Sequence, residues 1–406
     1  MQHCIVIGGS HAAVQLAFSL RQEGWNGNIT IISSDENFPY HRPPLSKIVL
    51  SSESSVPNIP IRATEFYEKN NINLLLGKQV LRIDREKSNV TLNSGEEINY
   101  TKLALTTGAY ARKISIPGHN LKGVCYLRDL RDALEIRESM APNKSAVIIG
   151  GGYIGLEAAA SMRKRGMNVT ILEAMPRVLA RITSPEVSAF YTRIHEEEGV
   201  TIITNASATA IEGADCVTGV RLDDGRIFKA DIILIGIGVL PATELACAAG
   251  LDINDGIMVD EFCRTNDHNI VAAGDCANQF HPIYGHRVRL ESIQNANDQA
   301  KIAAKTLCGK LETYSALPWF WSDQYDLKLQ IAGLAQGFDN VILRGDPNTG
   351  RCFIAFYFKG STLLSADCIN SPKEFMAIKR LLVDKKTANP TMLSDQSINL
   401  VDSFID

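Results

Sequence analysis

The sequence predicts an α/β chain made of two copies of a nucleotide-binding βαβ fold and a small α+β domain at the C-terminal end. Three observations carry that prediction. Short apolar runs lead twice into glycine-rich turns, CIVIGGSHAAV at residues 4–14 and VIIGGGYIGLEAAA at residues 147–160. A helical pattern and then a second apolar strand follow each turn, so the chain reads as internally duplicated. Past Pro318 the character changes to an aromatic stretch, WFWSDQY at 319–325, and then to strand-like runs.

Length and composition bound the reading. At 406 residues the chain has room for two or three domains, each with its own core. Its apolar and charged fractions, 45% and 21%, are those of an ordinary globular protein. A net charge of -4 argues against a general nucleic-acid binder. No apolar run approaches the roughly 18–20 residues a bilayer span needs. The first twenty residues lack a basic leader and a cleavage-type site, so a cytoplasmic protein is expected. The nine cysteines are scattered, with no C-x-x-C and no metal spacing, which predicts reduced, mostly buried thiols and no metal site.

Taken in order, residues 4–9 read as a buried strand running into its turn, 12–23 as a helix and 28–33 as the second strand. A β-rich piece at 89–92 ends in the turn Asn93-Ser94-Gly95, and an apolar strand at 102–108 ends in Thr106-Thr107-Gly108. The second copy repeats the plan: strand 146–149, helix 154–165, strand 168–173, a β-piece at 217–222 before Asp223-Asp224-Gly225, and a strand at 231–238 ending in Gly236-Ile237-Gly238. From Thr243 the chain returns to the first domain, with strand 270–273 entering Gly274-Asp275 and a helix over 292–307. Strand-like runs at 328–333 and 353–358 belong to the last domain. The expected domains are 1–114 with 243–318, then 115–242, then 319–406.

The second turn carries the sharper chemistry. Gly150 makes the tight turn, Gly152 lets the backbone approach a pyrophosphate, and Gly155 permits close helix–strand packing, with Tyr153 and Ile154 beside them. Glu173, at the end of the next strand, would accept from a ribose 2′-OH and repel a 2′-phosphate, which favours NADH over NADPH. Glu157 either caps or solvates the helix start, or lies near the nicotinamide amide and orients the ring. At the first turn, Gly8, Ser10, Ala12 and Ala13 depart from the pattern. Ser10 stands at the second glycine place with a hydroxyl able to donate to phosphate, and Ala13 is an allowed variant at the third. Ser34 or Asp35 would meet the adenosine ribose, or they form a solvated loop.

Two such turns suggest two dinucleotides, a hydride donor and a flavin. In the loop PYHRPPLSK (39–47), Pro43 and Pro44 stiffen the backbone and hold Arg42 and Lys47 in fixed directions. A lysine at the flavin N5/O4 edge would stabilise negative charge on the reduced ring. An arginine would meet flavin phosphates or another acidic partner. The bland alternative is a basic surface loop.

These stretches, with AAGDCA (272–277), RLESIQNANDQA (289–300) and PWFWSDQY (318–325), resemble the FAD-dependent, NADH-using ferredoxin reductases of bacterial cytochrome P450 and ring-hydroxylating dioxygenase systems, the putidaredoxin reductase-like family. The likeness spans nearly the whole chain. It implies two Rossmann-like dinucleotide-binding domains on a glutathione-reductase-like plan plus the small α+β domain. The first domain would hold FAD and the second NADH (NAD+). The wider superfamily carries a redox cysteine pair near 42–47; here there is none.

The resemblance also implies a role for each matching position. Thr107 and Gly108 would end a strand beside FAD, with Val80 near the adenine and Arg128 near the phosphates; Gly238 is the counterpart of Gly108 at the second nucleotide. Asp275, after Gly274, would bond the ribitol. Glu291, Ser292 and Ile293 would start the helix whose positive end faces flavin N1/O2. Trp321 would lie near the ring and Trp319 would pack in the C-terminal domain. Lys47, Glu157 and Trp321 are then the candidate catalytic residues. The implied partner is an acidic [2Fe-2S] ferredoxin, serving a P450 or ring-hydroxylating oxygenase. Arg62 and Lys301 are its candidate docking cations. Three other readings stand beside it: a reductase of rubredoxin or a quinone-like carrier, an NADH oxidase or peroxidase, and an NADH-sensing binding protein resembling apoptosis-inducing factor.

Overall fold

A computed structural model describes residues 2–52, 58–384 and 387–405. The chain divides into two compact units: 1–41, 58–110 and 239–318 form the first, and 42–57, 111–238 and 319–406 the second.

In the first unit a five-stranded parallel sheet runs in the order Ile270–Ala272, Lys102–Leu105, His3–Ile7, Asn28–Ser33, Ile72–Leu76. Past His3 its central strand is apolar and buried because both faces are covered. Cys4 and Val6 point to one side, against the helices His11–Gln22 and Ile293–Leu307. Ile5 and Ile7 point to the other, against Val80, Val90 and Leu92 of a small antiparallel sheet. The two helices meet through Ala13, Ala17, Ala300, Ala303 and Ala304, all wholly buried, which lets their backbones approach closely. Leu16 and Leu20 fill the rest of that face, each burial contributing about 1.5–3 kcal/mol.

The second unit repeats this plan in the order Val200–Ile203, Asn168–Leu172, Ser145–Ile149, Ile232–Ile235, Val124–Tyr126, again all parallel. It also contains an antiparallel sheet in the order Trp319–Gln324, Leu327–Gly333, Thr362–Ile369, Phe353–Lys359, Asn340–Arg344. The helix Pro372–Val383 covers one face of that sheet through Phe375 and Ile378.

Three expectations change. The strands expected over 4–9, 102–108 and 231–238 stop at Ile7, Leu105 and Ile235. Pairing ends there because the glycine turns bend the chain out of the sheet, with Gly8 at φ +114 and Gly108 at φ +68. The aromatic stretch from Trp319 is itself the edge strand of the C-terminal sheet rather than a lead-in to it. The thiols are all free but not mostly buried: Cys4, Cys263, Cys276 and Cys368 are buried, Cys125 and Cys308 half-buried, and Cys216, Cys247 and Cys352 exposed. The exposed three lie outside the parallel sheets, so no core packing encloses them.

Candidate functional site

In each unit the carboxyl ends of the parallel strands build one edge, where doubly wound sheets bind ligands. The atomic plan is duplicated there. Gly8 N–H donates to Ile32 O at 2.8 Å and Gly150 N–H to Leu172 O at 2.8 Å. On the other side of the turn, Thr106 N–H donates to Ile7 O and Gly236 N–H to Ile149 O. A Cβ at Gly8 would lie 2.2 Å from Thr106 O, and one at Gly150 would lie 2.4 Å from Gly236 O. Both glycines also sit at positive φ, so neither place admits a side chain.

Gly152 differs in kind. It caps the helix Tyr153–Lys164, and a Cβ there meets nothing within 4 Å. That open space in front of a helix N-terminus fits the phosphates of a dinucleotide. Gly155 packs against Gly150 O, where a Cβ would come within 2.2 Å. Glu173 reaches back to the turn: Oε2 accepts from Gly151 N–H at 2.6 Å and Oε1 from Met175 N–H at 2.8 Å. A carboxylate has about four acceptor sites, so capacity remains for ribose hydroxyls. Ile154 is exposed at the turn, Tyr153 is buried against the Phe320 ring, and Gly238 turns at φ +98 with open space before it.

At the first turn Ser10 caps the helix without a side-chain cap bond, and its Oγ lies 3.4 Å from His11 Nδ1. His11 Nε2 in turn meets His41 Nδ1 at 3.2 Å. Ala12 and Ala13 are buried, and Ser34 is exposed. Asp35 accepts from Tyr40 OH and from the Asn37 backbone and side chain. Thr107 Oγ1 is tied to Ala242 O. Gly274 N–H donates to Gln299 Oε1, and Asp275 follows it, half-buried. Ser292 caps the helix that begins at Ile293, accepting from Asn295 N–H, while Glu291 pairs outward with Arg289. Val80 points its side chain into the core with Ile7 and Ile32.

The second unit also gathers a polar cluster around Glu157. The short 3₁₀ turn Pro43–Ser46 presents Ser46 and Lys47 to the helix Tyr153–Lys164, and Ser161 Oγ locks it there by donating to Ser46 O at 2.7 Å. Glu157 is only 3% exposed. Its Oε2 takes the Lys47 ammonium at 2.7 Å and the Ser46 hydroxyl; its Oε1 takes the Ser322 hydroxyl at 2.6 Å. The capping and solvation alternatives for Glu157 fall away. A lone buried carboxylate would carry a heavy desolvation cost, which this shell of donors offsets. Lys47 is thereby a fixed, partly exposed cation rather than a mobile surface charge.

The strand Trp319–Gln324 delivers Ser322 to this cluster. Its alternation sends Phe320 and Ser322 to the helix Tyr153–Lys164 and Gln324 to His195 of the helix Pro185–Glu197, and puts Trp319 and Trp321 together, ring centroids 5.5 Å apart. Trp319 continues to Phe375 and Lys379. Arg42 donates to Arg128 O, bringing those two arginines together. Arg62 lies over the Phe66 ring and Lys301 pairs with Asp298. Sequence reasoning missed Ser46, Ser161, Ser322 and the His11–His41 pair. Ser46 and Ser322 lie inside quoted motifs and Ser161 directly follows another, but a serine carries no local signal of such a partner. Among the described residues no three His, Cys, Asp or Glu side chains gather as a metal site requires, and no helix is long and apolar enough to cross a membrane.

Duplicated glycine turns at the ends of two parallel sheets, with a lysine–glutamate pair on the second, define an oxidoreductase of the two-dinucleotide plan. A family model described as pyridine nucleotide-disulphide oxidoreductase matches residues 2–300, and one described as reductase C-terminal matches 319–404. The chain belongs to the pyridine nucleotide-disulphide oxidoreductase family. It is 41% identical to rhodocoxin reductase of Rhodococcus erythropolis over 98% of this chain and 93% of that one. It is 40% identical to putidaredoxin reductase of Pseudomonas putida, over 98% and 95%. A solved structure of the covalent putidaredoxin reductase–putidaredoxin complex matches with a TM-score of 0.95 at 40% identity, covering 98% of this chain and 97% of that one.

Proposed function

We propose that this protein is an FAD-containing NADH:ferredoxin reductase that supplies electrons, through a [2Fe-2S] ferredoxin, to a P450 or ring-hydroxylating oxygenase in the cytoplasm. One observation carries the reading. The loop where disulfide reductases of this plan hold their cysteine pair holds instead Ser46 and Lys47, both bonded to a buried Glu157. With no thiol pair to relay electrons, they leave for an external carrier directly. The near-full-length likeness to reductases named for the redoxins they reduce supports the same carrier class.

When bound, FAD and NADH supply hydride transfer and the division of an electron pair between two one-electron carriers. The chain's own residues bind, orient and set charge. Residues 1–114 and 243–318 are assigned to FAD, 115–242 to NADH and 319–406 to the C-terminal domain. For FAD the assigned contacts are Gly8, Ser10, Ala12 and Ala13 at the pyrophosphate, Ser34 or Asp35 at the ribose, Thr107, Gly108, Gly274 and Asp275 along the chain, and Ser292 and Ile293 at the helix start. Val80 takes part through its main chain, its side chain being in the core. Arg42 and Arg128 serve the phosphates. For NADH the contacts are Gly150, Gly152, Tyr153, Ile154, Gly155, Glu173 and Gly238. Lys47 acts as the cation at the reduced ring, Glu157 holds Lys47 and faces the nicotinamide amide, and Trp321 supplies a stacking surface. Arg62 and Lys301 are assigned to ferredoxin docking.

An anaerobic titration of the purified protein with NADH, and separately with NADPH, tests this. A flavin band that bleaches with about one equivalent of NADH, and responds weakly to NADPH, is the expected result. Catalytic turnover with a [2Fe-2S] ferredoxin then separates this reading from its rivals. Turnover only with rubredoxin or a quinone, fast reduction of dioxygen, or a long-lived reduced complex idle with every carrier would each overturn it.

A further inference from the structure

Beyond Glu157, the same strand extends a buried hydrogen-bond chain that the proposed reaction does not use. Gln324 Nε2 lies 3.2 Å from Ser322 Oγ, His195 Nε2 lies 2.8 Å from Gln324 Oε1, and Tyr325 OH lies 3.1 Å from His195 Nδ1. Ser322, Gln324 and His195 are essentially buried and Tyr325 is half-buried, so little water competes for these bonds. All five residues, Glu157 included, belong to the second unit.

We propose that His195 is a positioning residue for Glu157: by fixing the orientation of the Gln324 amide it commits the Ser322 hydroxyl proton to the Glu157 carboxylate. The inference rests on the assignment of Glu157 and Lys47 to hydride transfer. Its polarity is fixed from one end. A carboxylate paired with Lys47 only accepts, so Ser322 donates its single proton to Oε1. Ser322 Oγ must then accept, which turns the Gln324 NH₂ towards it and the Gln324 carbonyl away. That carbonyl needs a donor, which is His195 Nε2–H, leaving Nδ1 to accept from Tyr325 OH. Burial pushes the His195 imidazole down to about 4, so the ring is neutral and carries one proton.

The reverse arrangement shows what His195 does. Without a donor at His195, the Gln324 amide is free to turn over and present its carbonyl to Ser322. Ser322 would then donate to Gln324, and Glu157 would lose one of its three side-chain donors and its fixed direction. A Lys47–Glu157 pair free to swing holds the ring-side charge less well. The amide of Gln324 carries hydrogen-bond polarity but is a poor proton carrier, so the chain orients and does not conduct.

The test is stopped-flow reduction of the flavin-loaded protein by NADH under anaerobic conditions. His195→Leu lowers the limiting reduction rate about tenfold, the size of one hydrogen bond to a charged group, while the NADH concentration at half-saturation moves less than about twofold. His195→Gln, which keeps an N–H donor near the Nε2 position, restores most of the rate. In a Ser322→Ala background His195→Leu has no further effect, because the shared link is already broken. An equal loss in both backgrounds, or no loss from His195→Leu in protein that keeps its flavin, overturns the proposal. A second measurement needs no variant: nitrogen NMR of the histidine rings should find His195 as the neutral Nε2–H tautomer at pH 6, and the Nδ1–H tautomer would overturn it. If the unaltered protein is not reduced by NADH at all, it is the functional reading that fails, and the tautomer measurement still judges the chain.

Discussion

The two glycine turns of this molecule share one plan and differ in one layer of it. Gly8 and Gly150 have the same hydrogen bonds, the same positive φ and the same crowding under a carbonyl of the neighbouring strand. The layer beyond them diverges. The second turn offers Gly152 before open space and Glu173 tied to Gly151 N–H. The first offers Ser10, and a buried Ser33 at the place matching Glu173. What is shared follows from strand ends crowding at a switch point, and would be needed with no ligand. What differs is the layer proposed to meet the ligand, and so carries the proposed assignment of FAD to one turn and NADH to the other.

The largest effects should come from the shared layer, read by different assays. Gly8→Ala and Gly150→Ala each force a Cβ against a backbone carbonyl at a left-handed φ, at a cost of about 2 kcal/mol or more. Gly8→Ala protein is expected to purify with little flavin. Gly150→Ala protein is expected to keep its flavin while NADH reduces it about a hundredfold more slowly. Flavin content by absorbance and the reduction rate check this, and the opposite pattern would exchange the two assignments.

The two units also differ in the carboxyls they bury. Asp132 and Asp367, both raised chiefly by burial, belong to the second unit. Asp367 is wholly buried with the Tyr357 hydroxyl as its donor, and burial lifts it to about 7. Glu157, by contrast, has an ammonium and two hydroxyls around it. A carboxyl raised above its unfolded value binds its proton more tightly in the folded chain. Stability should therefore fall as pH rises from about 4 to about 7, by on the order of 3 kcal/mol, and level off above. Asp367→Asn removes this slope. Urea unfolding of both proteins at pH 4.5 and 7.5 measures it, and parallel pH profiles would show that Asp367 is ionised throughout.

The contrast between the turns was readable from the amino acids, because glycine spacing and strand periodicity are local. The strands Asn28–Ser33, Asn89–Leu92 and Val217–Leu222 fall where the alternation and the following turns put them. The helix start at Ser292 was legible for the same reason. The surroundings of Glu157 were not. Ser46 and Ser322 approach it from far along the chain, and His195 and Gln324 meet across a helix and an edge strand. A serine, a glutamine and a histidine in amphipathic elements have no pattern that distinguishes a buried network from a solvated face. The exposed cysteines erred the other way, since burial was inferred from residue type without position.

A smaller effect comes from the divergent layer. Glu173→Ser gives the second turn the residue of the first and removes the acceptor of Gly151 N–H. The ratio of NADH to NADPH efficiency should drop about tenfold, with the loss mostly in NADH affinity. Steady-state kinetics with both donors decides it. An unchanged ratio would mean that Glu173 serves only to close the turn.

The smallest effect tests whether the first turn's serine matters at all. Ser10 makes no cap bond to its own helix, and its hydroxyl lies at the edge of contact with His11 Nδ1. Its backbone is extended, at φ -123, so glycine is not required there for conformation. Ser10→Gly would give the first turn the second turn's residue without strain, losing one hydroxyl donor and gaining closer backbone approach to phosphate. These changes oppose one another, and flavin affinity should shift by about twofold or less. Equilibrium flavin binding to the apoprotein measures it. A loss of tenfold or more would show that Ser10 donates to the cofactor directly, and that the first turn substitutes a side-chain donor where the second relies on bare backbone.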